Sequence, residues 1–100
     1  KLGGAQQRVN DWEPAFHRNQ RAQPISSDEL CKSLGKYYVK AIELFGPERC
    51  MFESNFPVDK ECVSYRTLWN FFKKISIEMN LSKADKDSVF SETAKLVYRL

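Results

Sequence analysis

A short apolar segment, Arg49-Cys50-Met51-Phe52-Glu53, sets the tightest limit on how this chain folds. Its alternate positions are apolar on both sides, the pattern of a strand buried on both faces in a parallel sheet. Each amide and carbonyl that such a strand buries needs a neighbouring strand. The flanking sequence offers helices instead, so the partner has to come from elsewhere. Lys1-Leu2-Gly3 reads as the remains of one neighbour, with the rest of the sheet expected upstream. The start at Lys1, without methionine, carries the same expectation of a chain cut from a larger fold.

The remaining segments are placed by their punctuation. Residues 1–23 read as a strand end followed by a long irregular loop, since Gly3 to Gln23 has neither a helical nor an alternating period. Ser26-Ser27-Asp28-Glu29 then forms a capping box and opens a helix over 24–46, with Leu30, Leu34, Tyr37, Ala41, Leu44 and Phe45 as its apolar stripe. Gly46-Pro47 closes it, because glycine accepts the left-handed backbone and proline cannot extend the ladder. The strand follows at 48–53 and a loop at 54–63. A second helix is expected over 64–79, with Tyr65, Leu68, Trp69, Phe72, Ile75 and Met79 on one side. A third is expected over 82–99, capped by Ser82 with Asp85 three residues on, and turning Val89, Phe90, Thr93, Ala94 and Val97 inward. The fold class is α/β: mostly helical, with one or two short parallel strands.

Composition narrows the function classes. Of 100 residues, 42% are hydrophobic and 13% aromatic, enough for a core in a single segment. The net charge of +3 is scattered along the chain, which argues against nucleic acid as a partner. No apolar run approaches the roughly 20 residues that cross a bilayer, and the first residues lack the apolar core of a secretion signal. A cytoplasmic chain without a membrane partner is expected. Cys31, Cys50 and Cys62 form neither a disulfide set nor a close metal-binding pair, and His17 is the sole histidine. The thiols read as small apolar side chains.

From Phe45-Gly46-Pro47-Glu48-Arg49 through Glu53-Ser54-Asn55-Phe56-Pro57-Val58-Asp59 the chain resembles the eighth strand and following loop of the amidohydrolase-related, metal-dependent TIM-barrel hydrolases. The usual pattern there is Gly-Ser-Asp followed by an aromatic residue, proline and valine, so Glu53 and Asn55 are two departures. Lys1-Leu2-Gly3-Gly4 is similar to the end of the seventh strand, Pro24 to Glu29 to the start of the next helix, and Tyr65 to Asn70 to the helix after strand eight. Thr93 to Leu100 is similar to the closing helix. The resemblance implies the C-terminal part of a (β/α)8 barrel with its chemistry at the C-terminal mouth. It further implies a divalent metal such as zinc, or a general base, held by histidines on earlier strands and an acid at the end of strand eight. That machinery activates water against an ester, lactone or amide. Some relatives decarboxylate aromatic acids instead, and some lactonases use no metal.

Six residues are candidates for the site. Asn55 stands at the family's aspartate position; an amide cannot act as a general base, so it orients substrate, touches a metal weakly, or satisfies loop backbone. Asp59 either folds back toward the mouth as a catalytic acid or is a solvated carboxylate paired with Lys60 or capping the next helix. Glu53 either faces the mouth or neutralises Arg49. Phe56 follows Asn55 in the same loop and is grouped with the substrate-binding residues. His17 and Trp12, in the loop over 1–23, are the remaining candidates for substrate contact, since such loops line barrel mouths.

The leading expectation is a small-molecule hydrolase whose N-terminal barrel portion is missing here, so that the isolated piece is inactive and holds no metal of its own. The rival is a non-catalytic helical module that self-associates to cover an exposed strand and its apolar faces.

Overall fold

The computed structural model describes residues 1–5 and 24–100. Four helices follow in order: α1 (Ser27–Phe45), α2 (Tyr65–Glu78), α3 (Lys83–Asp87) and α4 (Thr93–Tyr98), the last two joined by a π-helical turn at Ser88–Glu92. Two 3₁₀ turns, Pro47–Arg49 and Val58–Glu61, lie between α1 and α2. The described chain is thus mostly helical, and its only β pairing is one parallel bridge between Leu2 and Phe52.

Helix boundaries sit where local chemistry puts them. Ser26 Oγ accepts from the Glu29 amide at 3.1 Å, and the Ser26 amide donates to Glu29 Oε1 at 3.3 Å, so two of the orphan amides of α1 are satisfied. Ser64 and Ser82 cap α2 and α3 by accepting from the Thr67 and Asp85 amides, each at 3.1 Å. After α2, Asn80 takes a left-handed φ of 51° while the Asn80 and Leu81 amides return to the Ile77 and Ser76 carbonyls. That pairing is a Schellman closure with asparagine in the place glycine usually holds.

The main packing is α1 against α2. Leu30, Leu34, Tyr38 and Ile42 of α1 meet Leu68, Phe71, Phe72 and Ile75 of α2, joined by Cys50, Phe52, Val63 and Val89. The stripe read from sequence on α1 is off by one position: Tyr38 and Ile42 are buried, whereas Tyr37, Leu44 and Phe45 are 48%, 68% and 56% exposed. A regular four-residue step, 30-34-38-42, faces α2, and Tyr37 falls on the neighbouring row. Of the third helical stretch, Val89 in the π turn and Thr93 at the start of α4 are buried, while Val97 is exposed, as are all residues from Lys95 to Leu100.

The strand expected at 48–53 is much shorter. Gly46 has a φ of 84°, and the Arg49 and Cys50 amides bond back to Gly46 and Pro47, which holds residues 47–49 in a turn. Extended backbone begins at Cys50, with Leu2 as the single β partner among the described residues. The Leu2 amide donates to the Met51 carbonyl at 2.8 Å and the Glu53 amide to the Leu2 carbonyl at 3.1 Å. The 54–63 loop is not wholly irregular, since Val58–Glu61 winds into a 3₁₀ turn.

Candidate functional site around Asn55 and Asp59

Beyond the Leu2–Phe52 bridge the two extended segments end side by side, and glycines let them do so. A Cβ at Gly3 would lie 2.5 Å from both the Cγ and the carbonyl oxygen of Glu53. Gly4, at a φ of 74°, leaves only 3.0 Å between its missing Cβ and Asn55 Nδ2. A side chain at Gly3 would push the segments apart, whereas one at Gly4 would displace the Asn55 amide by a small amount.

Asn55 itself has a left-handed φ of 53°, a region asparagine tolerates better than most residues. From there its Nδ2 donates to Asp59 Oδ1 at 2.9 Å, while the Asp59 amide donates back to the Asn55 carbonyl at 3.1 Å. The Asp59 carbonyl accepts from the Cys62 and Val63 amides, so the loop turns tightly around this residue. Asp59 is fully buried. The reading of Asp59 as a solvated carboxylate therefore fails: the loop folds it inward and Asn55 meets it, as a buried charge requires.

Glu53 pairs with Lys1, Nζ to Oε2 at 3.2 Å. That hydrogen bond pushes the Lys1 ammonium pKa up. Arg49 instead lies over the Phe45 ring, 6.0 Å from its centroid, so neutralisation of Glu53 by Arg49 is not the arrangement found. Phe56 donates its amide to Ser54 Oγ at 3.3 Å and packs edge-on against Tyr65 at 5.3 Å; its partial burial is directed to the helical core. His17 and Trp12 lie outside the described residues.

Two buried polar atoms near this end of the core were not anticipated from sequence. The Tyr38 hydroxyl and Trp69 Nε1 have no hydrogen-bond partner among the described residues. The Ala5 backbone lies beside Tyr38 but makes no hydrogen bond of good geometry with its hydroxyl. Burial, reinforced by the negative charges of Asp59 and Glu53, pushes the Tyr38 phenol up to about 12. A cavity of about 150 Å³ opens between α1 and the chain start, lined by Lys1, Leu2, Gly3, Ala5, Tyr37 and Tyr38. Burial pushes the Cys31 and Cys50 thiols up as well, away from the thiolate that a reactive cysteine needs.

A structural metal takes about four donors and a catalytic one about three plus water. Among the described residues no three His, Cys, Asp or Glu side chains are grouped to hold an ion. Asp59 is the single buried carboxylate here and one of its oxygens already accepts from Asn55. These residues do not fit a metal by themselves. No helix among the described residues is long and apolar enough to cross a membrane.

This chain pairs Leu2 with Phe52 in parallel, with Gly3 and Gly4 following on one segment and the Asn55–Asp59 clasp on the other. It belongs to the amidohydrolase family, whose sequence profile matches residues 2–100. It is also similar to an uncharacterized protein, y4mH, of Sinorhizobium fredii (strain NBRC 101917 / NGR234), with 42% identity over 69 residues. That alignment covers 69% of this chain and 23% of the relative. No solved structure matches.

Proposed function

We propose that the chain is the C-terminal part of a (β/α)8-barrel hydrolase acting on a small-molecule lactone, ester or amide, and that Asp59 is its acid–base residue. The observation that carries this reading is the clasp of Asn55 on Asp59. Where the family pattern has a carboxylate at the strand end, this chain has an amide, and a carboxylate four residues later folds back to meet it. Family membership supports hydrolysis, and the parallel Leu2–Phe52 pairing fits two adjacent staves of a barrel.

In the proposed reaction Asp59 accepts a proton from water as the water oxygen attacks the acyl carbon. The tetrahedral adduct then expels the alcohol or amine, which takes up that proton from Asp59. Asn55 fixes the carboxylate by donating to Oδ1. Glu53, Phe56, Trp12 and His17 are proposed to contact substrate. No step is assigned to a metal, because no three His, Cys, Asp or Glu side chains are grouped among the described residues; an ion such as zinc would need donors from other strands. The substrate-binding remainder of the barrel is proposed to lie outside the 100 residues, so this chain alone is expected to be inactive.

A second reading, a self-associating helical module, draws on Leu44, Leu96 and Leu100, which are 68%, 79% and 87% exposed. Kinetics on the whole protein that contains this chain decide between them. Asp59→Asn should lower kcat for a lactone, ester or amide by about 10²–10⁴ with little change in KM. Unchanged kcat in a folded Asp59→Asn protein would remove Asp59 from the mechanism. No turnover of any of the three substrate classes would favour the module.

A further inference from the structure

The Leu2–Phe52 pairing sorts its two segments into two faces, because side chains alternate along extended backbone. Cys50 and Phe52 belong to the helical core, and Leu2 packs against it. Met51 is buried yet stands outside that cluster, and with Glu53, Lys1 and Gly3 it takes the opposite face. In the barrel proposed above the helices surround the strands, so this second face is the one the barrel encloses. Strands end toward the mouth, and Glu53 comes two residues before Asn55, which sets it one layer beneath the clasp.

On that face the Glu53 side chain crosses to the neighbouring segment. A Cβ at Gly3 would lie 2.5 Å from Glu53 Cγ, so the chain rests directly on the Gly3 backbone. Its carboxylate then meets the Lys1 ammonium at 3.2 Å. The Tyr98 hydroxyl, at the end of α4, is a second hydrogen-bond neighbour of that ammonium. The Lys1 and Glu53 side chains are 54% and 32% exposed, as expected of a pair that faces staves supplied from outside the 100 residues. The enclosed face of such a barrel is ordinarily filled by branched apolar side chains, and a charge is tolerated there when it is paired. Lys1 and Glu53 cancel each other, so an anion set against them meets the carboxylate as well as the ammonium.

We propose that the Lys1–Glu53 pair is the floor of the substrate site and sets its specificity, admitting an uncharged acyl group and turning away one that bears a carboxylate. The inference rests on the barrel-hydrolase reading and deepens it. Glu53 is the discriminating member, since its carboxylate repels an incoming anion and also occupies the ammonium that would attract it.

The test uses the whole protein that contains this chain and two ketones with no ester or amide bond to hydrolyse, methyl propyl ketone and levulinate. They differ in a terminal methyl against a carboxylate. Affinities are read by NMR titration, and competition between the two establishes a shared site. The parent is expected to bind methyl propyl ketone more tightly. Glu53→Gln keeps the shape and removes the charge, so it should raise levulinate affinity about tenfold, or about 1.4 kcal/mol, and leave methyl propyl ketone unaffected. Adding Lys1→Met should erase the gain. A pair with a structural role alone would lower both affinities together. The proposal is overturned by a parent that prefers levulinate, by no gain for levulinate, by a gain that survives Lys1→Met, or by probes that do not compete. Glu53→Gly, which leaves the same ammonium unpaired, stands in should Glu53→Gln fail to fold. Because the readout is binding, the two readings fail separately. A levulinate gain in a protein without turnover sinks the hydrolase reading, and turnover without the gain sinks the specificity role.

Discussion

Gly4→Ala is the sharpest perturbation of the candidate site, because two costs at that position can be separated. The first is local: a Cβ on a left-handed backbone costs about 1–2 kcal/mol, and Gly4 has a φ of 74°. The second acts through Asn55, whose Nδ2 would sit 3.0 Å and Cγ 3.4 Å from the new carbon. Those distances fall short of the ~3.5–4.0 Å of relaxed contact, so the amide shifts and its bond to Asp59 weakens. A hydrogen bond to a charged group contributes about 1.5–3 kcal/mol, and partial loss puts this second cost near 1 kcal/mol. Together they predict a loss of about 2–3 kcal/mol, or a fall of about 1–2 M in the urea midpoint at a typical slope for this size. The assay is urea unfolding followed by far-UV circular dichroism, run as a double-mutant cycle with Asn55→Ala. In the Asn55→Ala background Gly4→Ala should lose only the backbone part, giving a coupling of about 1 kcal/mol. A coupling below about 0.3 kcal/mol, within the additivity error, would refute the idea that Gly4 keeps the clasp in place.

Further outcomes follow from the core and the caps. Tyr38→Phe removes a buried hydroxyl without a partner among the described residues, so stability at pH 7 should hold or rise by up to about 1 kcal/mol; a loss above that would reveal a partner. The Tyr38 phenol is raised in the fold, so its contribution is intact below the unfolded value near 10 and disappears as pH climbs through about 12. Urea midpoints at pH 9 and 11 should therefore diverge more for the parent than for Tyr38→Phe. Phe72→Ala opens the stack on Phe52 and the contacts to Tyr38, Trp69 and Phe71, and should cost about 3–5 kcal/mol in the same assay. Ser26→Ala breaks the capping box and should cost about 1 kcal/mol, read as lost stability with α1 fraying by amide exchange.

Features that depend on neighbouring residues alone were legible in the sequence. Ser26 with Glu29, Gly46 before Pro47, and Ser82 mark helix ends because the bonds they make reach only three or four residues along the chain. Facing was less legible. Tyr37 and Tyr38 are chemically equal candidates for the core, and only the row that meets α2 selects Tyr38. The π turn had no signal in the sequence reading; it holds the Val89 carbonyl that accepts from the Phe52 amide at 2.9 Å, far away in sequence. The strand was overread because apolar content at Cys50, Met51 and Phe52 reports burial, whereas strand length depends on the partners present.

The site was half visible. Asn55 and Asp59 stood out as an amide in a carboxylate's place and a carboxylate nearby, but their clasp needs Asn55 in a left-handed turn and a glycine beside it. Sequence spacing does not encode that clearance. Glu53 was drawn to Arg49 by proximity in sequence, whereas the bridge with Leu2 delivers Lys1 to it.

The account stands on Asp59 reaching the reacting water, although this carboxylate is fully buried in the described chain. A crystal structure of the whole protein with a non-hydrolysable lactone, ester or amide analogue is the most direct measurement. The account predicts the Asp59 carboxylate within about 2.6–3.2 Å of a water or of the analogue's acyl group, with Asn55 still hydrogen-bonded to it. An analogue bound elsewhere, with Asp59 sealed beneath its loop and in contact with protein alone, would contradict it.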